Sequence, residues 1–276
     1  MNPSKSQRRR PGFLERSIES LAGRLAHARL CEDTAAAAGL LQRLDPRVKL
    51  CGLLALILVA VAAHRLGATL GVFLLGVILA RCSAISIRAL WLRTWLGVLL
   101  FTGFIALPAI FLTPGDPVLP RWPVTWQGLT AALRLVIRAE TAATLAGLLV
   151  LTTPWTHVLK ALRTLRVPTV LVLVLGMTYR YIFLLMRVAA DFFEARRSRL
   201  IRPLSRPEQR RMAGAAAGVL LNKSLQLSEE VYLAMQSRGF RGEAYTTHDF
   251  HIARRDWLAG AGFGAAVALA FWGGFR

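Results

Sequence analysis

The stretch LCGLLALILVAVAAHRLGATLGVFLLGVILA, residues 50–80, decides what kind of fold this chain can adopt. It holds two apolar runs, 50–63 and 66–80, broken only by His64 and Arg65. At about 1.5 Å per residue each run makes a helix of roughly 20 Å. A straight bilayer crossing uses about twenty residues. Two arrangements follow: a tight hairpin of two short spans with His64-Arg65 at the far interface, or one long interrupted helix. The hairpin is preferred. Lys49, Arg65 and Arg81 stand where long cationic side chains can reach the headgroups and lengthen the effective spans.

Outward from this stretch the pattern continues. Of the 276 residues, 55% are hydrophobic, and the mean hydropathy is +0.47. That is too apolar for an ordinary soluble domain. Residues 96–112 form a third span. TPGDPVLPRWPV, 113–124, reads as a turn-rich outer loop with little positive charge. Residues 130–151 return; 168–186 are apolar enough for a fifth span. The last run, 257–275, has Trp257 and Trp272 near its two ends, as interface aromatics stand. Residues 81–95, with Arg81, Arg88 and Arg93, read as an inner loop or surface helix.

Charged groups within the fourth run should face protein or water rather than lipid. Arg134 and Arg138 are four apart, on one helical face. They either contact a partner subunit or snorkel, with Arg138 and Glu140 as neighbours. TTPW, 152–155, ends that helix. HVLKALRTLRVP, 157–168, is a short amphipathic helix with Lys160, Arg163 and Arg166 on its polar side, stopped by Pro168.

Lys and Arg number 35 against 15 acidic residues, a net +20. In a chain of apolar spans this points to cytoplasm-facing segments beside anionic headgroups. The Arg residues are spread between the spans, which disfavours a nucleic-acid partner. Residues 187–255 hold thirteen Lys/Arg and seven Asp/Glu, so this region belongs inside. With four spans before it and the N-terminus inside, 168–187 should then not simply cross. It would be buried, re-enter, or slant along the inner leaflet. After the basic start MNPSKSQRRRPGF no apolar core follows, so a cleaved signal peptide is not expected. Ile18, Leu21, Leu25 and Leu30 instead suggest an amphipathic helix on the cytoplasmic membrane surface or against a partner. Cys31, Cys51 and Cys82 share no metal-ligand spacing and no disulfide framework.

The basic region carries one small pattern twice. FEARRSRL, 193–200, and LAMQSRGF, 233–240, both contain A-x-x-S-R. In the second, Leu220, Leu227, Val231 and Ala234 form one helical stripe, and Leu221, Leu225, Tyr232 and Met235 another. A helix apolar on two stripes packs on something besides itself. Gly239 supplies a C-terminal stop, leaving Arg238 in the last turn. Each motif reads as a helix end with one long cation among small residues, where an Arg fork can reach carboxylates or carbonyls of a docked surface.

The chain resembles the transmembrane coupling (T) component of energy-coupling factor transporters, most closely the cobalt-type CbiQ family. The likeness runs from about Gly39 to the C-terminus. It is carried by LLQRLDPRVKL, LTTPWTHVLKALRTLRVP, MTYRYIFLLMR, EARRSRL and SLQLSEEVYLAMQSRGFRGE. The resemblance implies an all-α integral membrane protein of about five to six membrane helices plus a cytosolic domain of long amphipathic coupling helices. The bounds would be 1–49 for an N-terminal amphipathic segment, 50–151 for the bundle, 152–255 for the coupling-helix domain and 256–276 for a last membrane helix. In that family two coupling helices end in X-Arg-X motifs, each Arg docking on one of two ATP-binding-cassette ATPases. Carried over, these are Ser198-Arg199-Leu200 and Ser237-Arg238-Gly239. The first departs from the common Ala-Arg-Gly form, and Arg196 and Arg197 stand as alternatives there.

The resemblance further implies a scaffold in a bacterial inner membrane that passes ATPase motion to a substrate-binding S component. Cobalt is the implied substrate, with nickel and a vitamin as alternatives. No G-x-x-x-x-G-K-[ST] phosphate loop occurs, so ATP and Mg would sit on partner chains. No cofactor or metal is expected on this chain. HDFH, 248–251, is the best metal candidate, and two His with one Asp in a basic segment are a weak set. No His lies near Met1 to build a square-planar Co²⁺ or Ni²⁺ site. A membrane enzyme using Arg134, Arg138 and His157 on an anionic lipid lacks a paired carboxylate or a nucleophile. A self-contained secondary transporter would show internal repeat symmetry, and none is visible.

Overall fold

The computed structural model describes residues 19, 23, 39–83, 85, 94–113, 117–119, 122–202, 204–240 and 254–275. The N-terminal amphipathic stripe, most of the 81–95 segment and the HDFH residues lie outside these.

The first helix, α1, runs Pro46–Ala62, four residues earlier than the apolar run alone suggests. Asp45 is its N-cap. The carboxylate accepts from the Arg47 N–H at 2.8 Å, and Pro46 takes the first helical position, where no donor is missed. The second, α2, is Leu66–Cys82. Ala63, His64 and Arg65 separate the two, so the hairpin reading describes the backbone. Helix α3 is Leu96–Leu112, with Pro108 inside it. The proline-rich loop contains a short antiparallel pair, β1 (Pro117–Leu119) and β2 (Trp122–Thr125). Apart from it the described fold is all-α.

Helix α4, Trp126–Thr152, starts on a Thr125 side-chain cap. Its buried Thr141, Thr144 and Thr152 hydroxyls each donate to the carbonyl four residues back. That leaves polar groups in an apolar helix satisfied. Helix α5 is Trp155–Thr164. It ends before Pro168, contrary to the expectation that Pro168 stops it. Leu165 caps it, Arg166 turns the chain in the left-handed region (φ 64°), and Pro168 is instead the N-cap of the next helix.

The fifth apolar run and the start of the basic segment after it are continuous. They form one helix, α6, Thr169–Arg197, of 29 residues, about 43 Å long. Helix α7, Arg206–Ser237, opens on a capping box in which Ser205 and Glu208 satisfy each other's ends. Helix α8 is Arg254–Phe275.

The chain forms two compact units. One contains α6 and α7. The other contains α1 to α5, the β pair and α8; the amphipathic α5 thus groups with the apolar bundle. In the bundle α4 packs on α1, α2 and α3, and α8 packs on α1 and α2. Leu53, Leu56 and Ala60 of α1, Leu145 and Leu148 of α4 and Phe263 of α8 are buried together. Gly52 lets α8 come close, since a Cβ there would lie 2.6 Å from the Phe263 ring. Among the described residues three helices are long and apolar enough to cross a membrane: Trp126–Thr152, Thr169–Arg197 and Arg254–Gly274; Leu66–Cys82 and Leu96–Phe111 are shorter apolar helices. The chain is a multi-pass membrane protein.

Candidate functional site

Within the α6–α7 unit both X-Arg-X stretches fall at helix ends. Helix α6 stops at Arg197, and Ser198 is its C-cap. The Arg199 N–H donates to the Arg196 carbonyl at 3.2 Å, and the Leu200 N–H to the Arg197 carbonyl at 3.2 Å. Helix α7 stops at Ser237, with Arg238 as C-cap. Here Gly239 is left-handed (φ 75°). Its N–H donates to the Gln236 carbonyl at 2.9 Å, and the Phe240 N–H to the Met235 carbonyl at 3.0 Å. That is the Schellman arrangement.

The repeated A-x-x-S acquires a physical meaning. The Ser198 hydroxyl donates to the Ala195 carbonyl at 3.0 Å, and the Ser237 hydroxyl to the Ala234 carbonyl at 3.0 Å. Each serine thereby covers a carbonyl that the helix leaves open. The arginine after it is exposed in both cases. Neither guanidinium has a side-chain partner among the described residues. By contrast Arg196 lies over the Phe192 ring at 5.4 Å, and Arg202 pairs with Glu208 at 2.6 Å. Of these three, Arg199 is the one without a side-chain partner among the described residues.

The spacing of the two ends follows from packing. Phe193 is buried against Ala216, with Phe192, Leu200, Leu204 and Met212 around them. The α6 end therefore lies beside the first third of α7. From Ala216 to Ser237 is 21 residues of α7, about 30 Å. The two arginines thus lie at separate points of one packed helix pair. Along α7, Leu221, Leu225 and Tyr232 are exposed (56–63%), while Leu220, Leu227 and Val231 are half-buried.

The bundle holds contacts that sequence reasoning missed. The Lys49 ammonium, 1% exposed, donates to the Thr152 carbonyl at 3.1 Å. The Asp45 N–H donates to an Asp256 carboxylate oxygen at 2.8 Å. LDPRVK thus ties the start of α1 to the end of α4 and the start of α8. The signal available was Asp-Pro at a helix start; the partners, 103 and 211 residues away, had none. Arg138 donates through Nη2 to the Ala63 carbonyl at the hairpin break. It is not paired with Glu140, whose carboxylate oxygens are buried without a partner among the described residues. His157 is exposed on α5. Arg138 stands fourteen residues from the Thr152 end of α4, about 21 Å, so Arg138 and His157 are not brought together. No group of three His, Cys, Asp or Glu that could hold a metal occurs among the described residues.

Comparison with known proteins adds the following. Residues 38–249 match the family model described as CbiQ, cobalt transport protein. An uncharacterized protein of Methanocaldococcus jannaschii is 35% identical over 213 residues, 74% of this chain and 73% of its own. The cobalt transport protein CbiQ of Rhodobacter capsulatus is 33% identical over 158 residues, 55% of this chain and 62% of that one. The nickel permease LarQ of Lactiplantibacillus plantarum is 33% identical over 109 residues, 40% and 39% of the two chains.

Proposed function

Because the chain belongs to the CbiQ family of cobalt transport proteins, and is a membrane component of cobalt or nickel transport, we propose that it is the coupling (T) subunit of an energy-coupling factor importer. Two ATP-binding-cassette ATPases dock on Ser198-Arg199-Leu200 and Ser237-Arg238-Gly239 from the cytoplasmic side of the inner membrane. They hydrolyse MgATP, and α6 and α7 carry their motion to a membrane subunit that binds the ion. The observation that carries this reading is the pair of exposed arginines on one helix pair, without side-chain partners among the described residues, each following the same Ser-to-Ala hydrogen bond. A displacement passes along such a pair because the packed corner at Phe193 and Ala216 keeps the two ends in fixed relation. The exposed Leu221, Leu225 and Tyr232 offer the apolar contact that the ion-binding subunit needs.

The test is reconstitution. The chain alone in proteoliposomes should move neither Co²⁺ nor Ni²⁺. With the two ATPases and the ion-binding subunit, uptake should appear and depend on ATP. ATP-independent uptake by the isolated chain would refute the coupling role. Cobalt is favoured over nickel because the family model and the relative with the larger coverage of the two metal-named ones are both cobalt proteins.

A further inference from the structure

The repeat that marks the two arginines extends one step further. Two residues past Arg199 stands Ile201, and two past Arg238 stands Phe240, so both copies run A-x-x-S-R-x into a large apolar residue. Phe240 has a part in its own helix end. Its N–H donates to the Met235 carbonyl at 3.0 Å, and the residue is half-buried. Ile201, by contrast, is fully exposed, at 103%.

The turn between α6 and α7 holds Ile201 out. Leu200 and Leu204, on either side of it, pack around Phe193 and Ala216. The Leu204 carbonyl accepts from the Gln209 side chain at 2.9 Å, and Arg202, next to Ile201, pairs with Glu208 at 2.6 Å. An aliphatic side chain is thus kept in water by a turn that is tied down on both sides of it.

Charge and length select what covers it. A second copy of the chain would set the same exposed cations, Arg196, Arg197, Arg199 and Arg206, against themselves. Hydrocarbon is out of reach of an α6 that crosses the bilayer. From Arg187, where its apolar part ends, to Arg197 is ten residues, about 15 Å, and the headgroup layer is only about 5–8 Å deep. What remains is the surface that meets Arg199, since two residues span at most about 7 Å.

We propose that Ile201 is the apolar anchor of the Arg199 dock, entering a pocket of the ATPase beside the contact made by the guanidinium. The inference rests on the coupling reading above and adds a second contact to it: the arginine supplies the charge, and the isoleucine supplies apolar area removed from water.

The test uses the full chain in nanodiscs containing phosphatidylglycerol, with Arg238→Ala so that only the Arg199 dock remains, titrated with the purified ATPase. Ile201→Ser should weaken binding by on the order of 10- to 100-fold, the worth of burying one aliphatic side chain. Ile201→Leu should lose less. The Ile201→Ser loss should be the same at low and high salt, unlike that of Arg199→Ala. Melting of the chain alone should not change, because the side chain is fully exposed. In a cysteine-free chain, an environment-sensitive fluorophore on Ile201→Cys should report water before the ATPase is added and apolar surroundings after. Wild-type affinity of Ile201→Ser, with Arg199→Ala abolishing binding, overturns the anchor and leaves the coupling reading standing. Wild-type affinity of both variants overturns the two together. An apolar signal before the ATPase is added means that the bilayer covers Ile201, and it overturns the anchor as well.

Discussion

Arg238→Ala separates a docking arginine from a structural one. In the isolated chain the side chain is exposed and touches no partner among the described residues. The α7 end is closed without it, by the Ser237 hydroxyl and the Gly239 and Phe240 N–H groups. What the fold loses is a cation near a helix C-terminus, about 0.3–1 kcal/mol at most. What an assembly loses is different. Truncating one partner of a desolvated charged contact costs about 2–5 kcal/mol. At about 1.4 kcal/mol per tenfold, that is roughly 30-fold to several thousandfold in ATPase affinity. Arg199→Ala should act likewise at its own site. At about 30 Å the two sites lie far beyond the roughly 7–10 Å within which substitutions couple, so their effects should add.

The assay is titration of each variant with purified ATPase, read as affinity and as the number bound, beside melting of the variant alone. Each single variant should lose one ATPase and keep the other, and the double variant should lose both. Gly239→Ala is the control. It keeps the guanidinium but forces a Cβ onto a left-handed backbone, about 1–2 kcal/mol of local strain, and should weaken docking less than Arg238→Ala. The reasoning is refuted if Arg238→Ala binds two ATPases with wild-type affinity. It is equally refuted if the isolated variant melts so early that its lost docking is only unfolding.

Three further outcomes are expected. Lys49→Met keeps the volume but leaves the buried Thr152 carbonyl without its donor; at about 1–3 kcal/mol for an orphaned buried group and about 2–4 °C per kcal/mol, the melting temperature should fall by several degrees, and an unchanged value would show the bond contributes nothing. The Ser205 backbone N–H, then its hydroxyl and Arg202, hold the Glu208 carboxyl below the usual carboxylate range. A lowered folded value stabilises above the unfolded Glu value of about 4.3 and is lost as pH falls through the folded one; amide exchange at the α7 start, corrected for intrinsic rates, should therefore accelerate only in acid, and Glu208→Gln should remove that step. Finally, in a cysteine-free background, a single cysteine at Arg206 should resist an impermeant thiol reagent on intact cells while one after Arg276 reacts, and the reverse pattern would invert the orientation.

How far the sequence revealed this depends on which signals are local. Helix α3 occupies the very residues, 96–112, that its apolar run marks, and the hairpin breaks where His64 and Arg65 interrupt the run. Gly239 is left-handed as a helix stop should be. These elements are set by neighbours in the chain. Along helix α6 the hydropathy changes at Arg187. The backbone has no boundary there. Residues 169–197 contain no proline and one glycine, so nothing interrupts the hydrogen-bond ladder when the side chains turn from apolar to basic. A change of solvent is not a change of secondary structure. The links of Lys49 to Thr152 and of Asp45 to Asp256 were hidden for the opposite reason: nothing within a few residues of either names its partner.

The repeated A-x-x-S-R lies between these cases. Its spacing suggested two equivalent helix ends, yet the ends differ. Helix α7 stops one residue before its arginine, on a left-handed glycine; α6 stops two residues before its own, on a turn without one. A motif that encoded helix termination would have to include the glycine, and only one copy does. What the copies share is the serine hydroxyl on the alanine carbonyl three residues back, and an exposed arginine past it without a side-chain partner among the described residues. The serine hydroxyl occupies that carbonyl, and the arginine past it is exposed. On the proposed function, the pattern is therefore a device for presenting a cation, tolerant of how the helix beneath it ends.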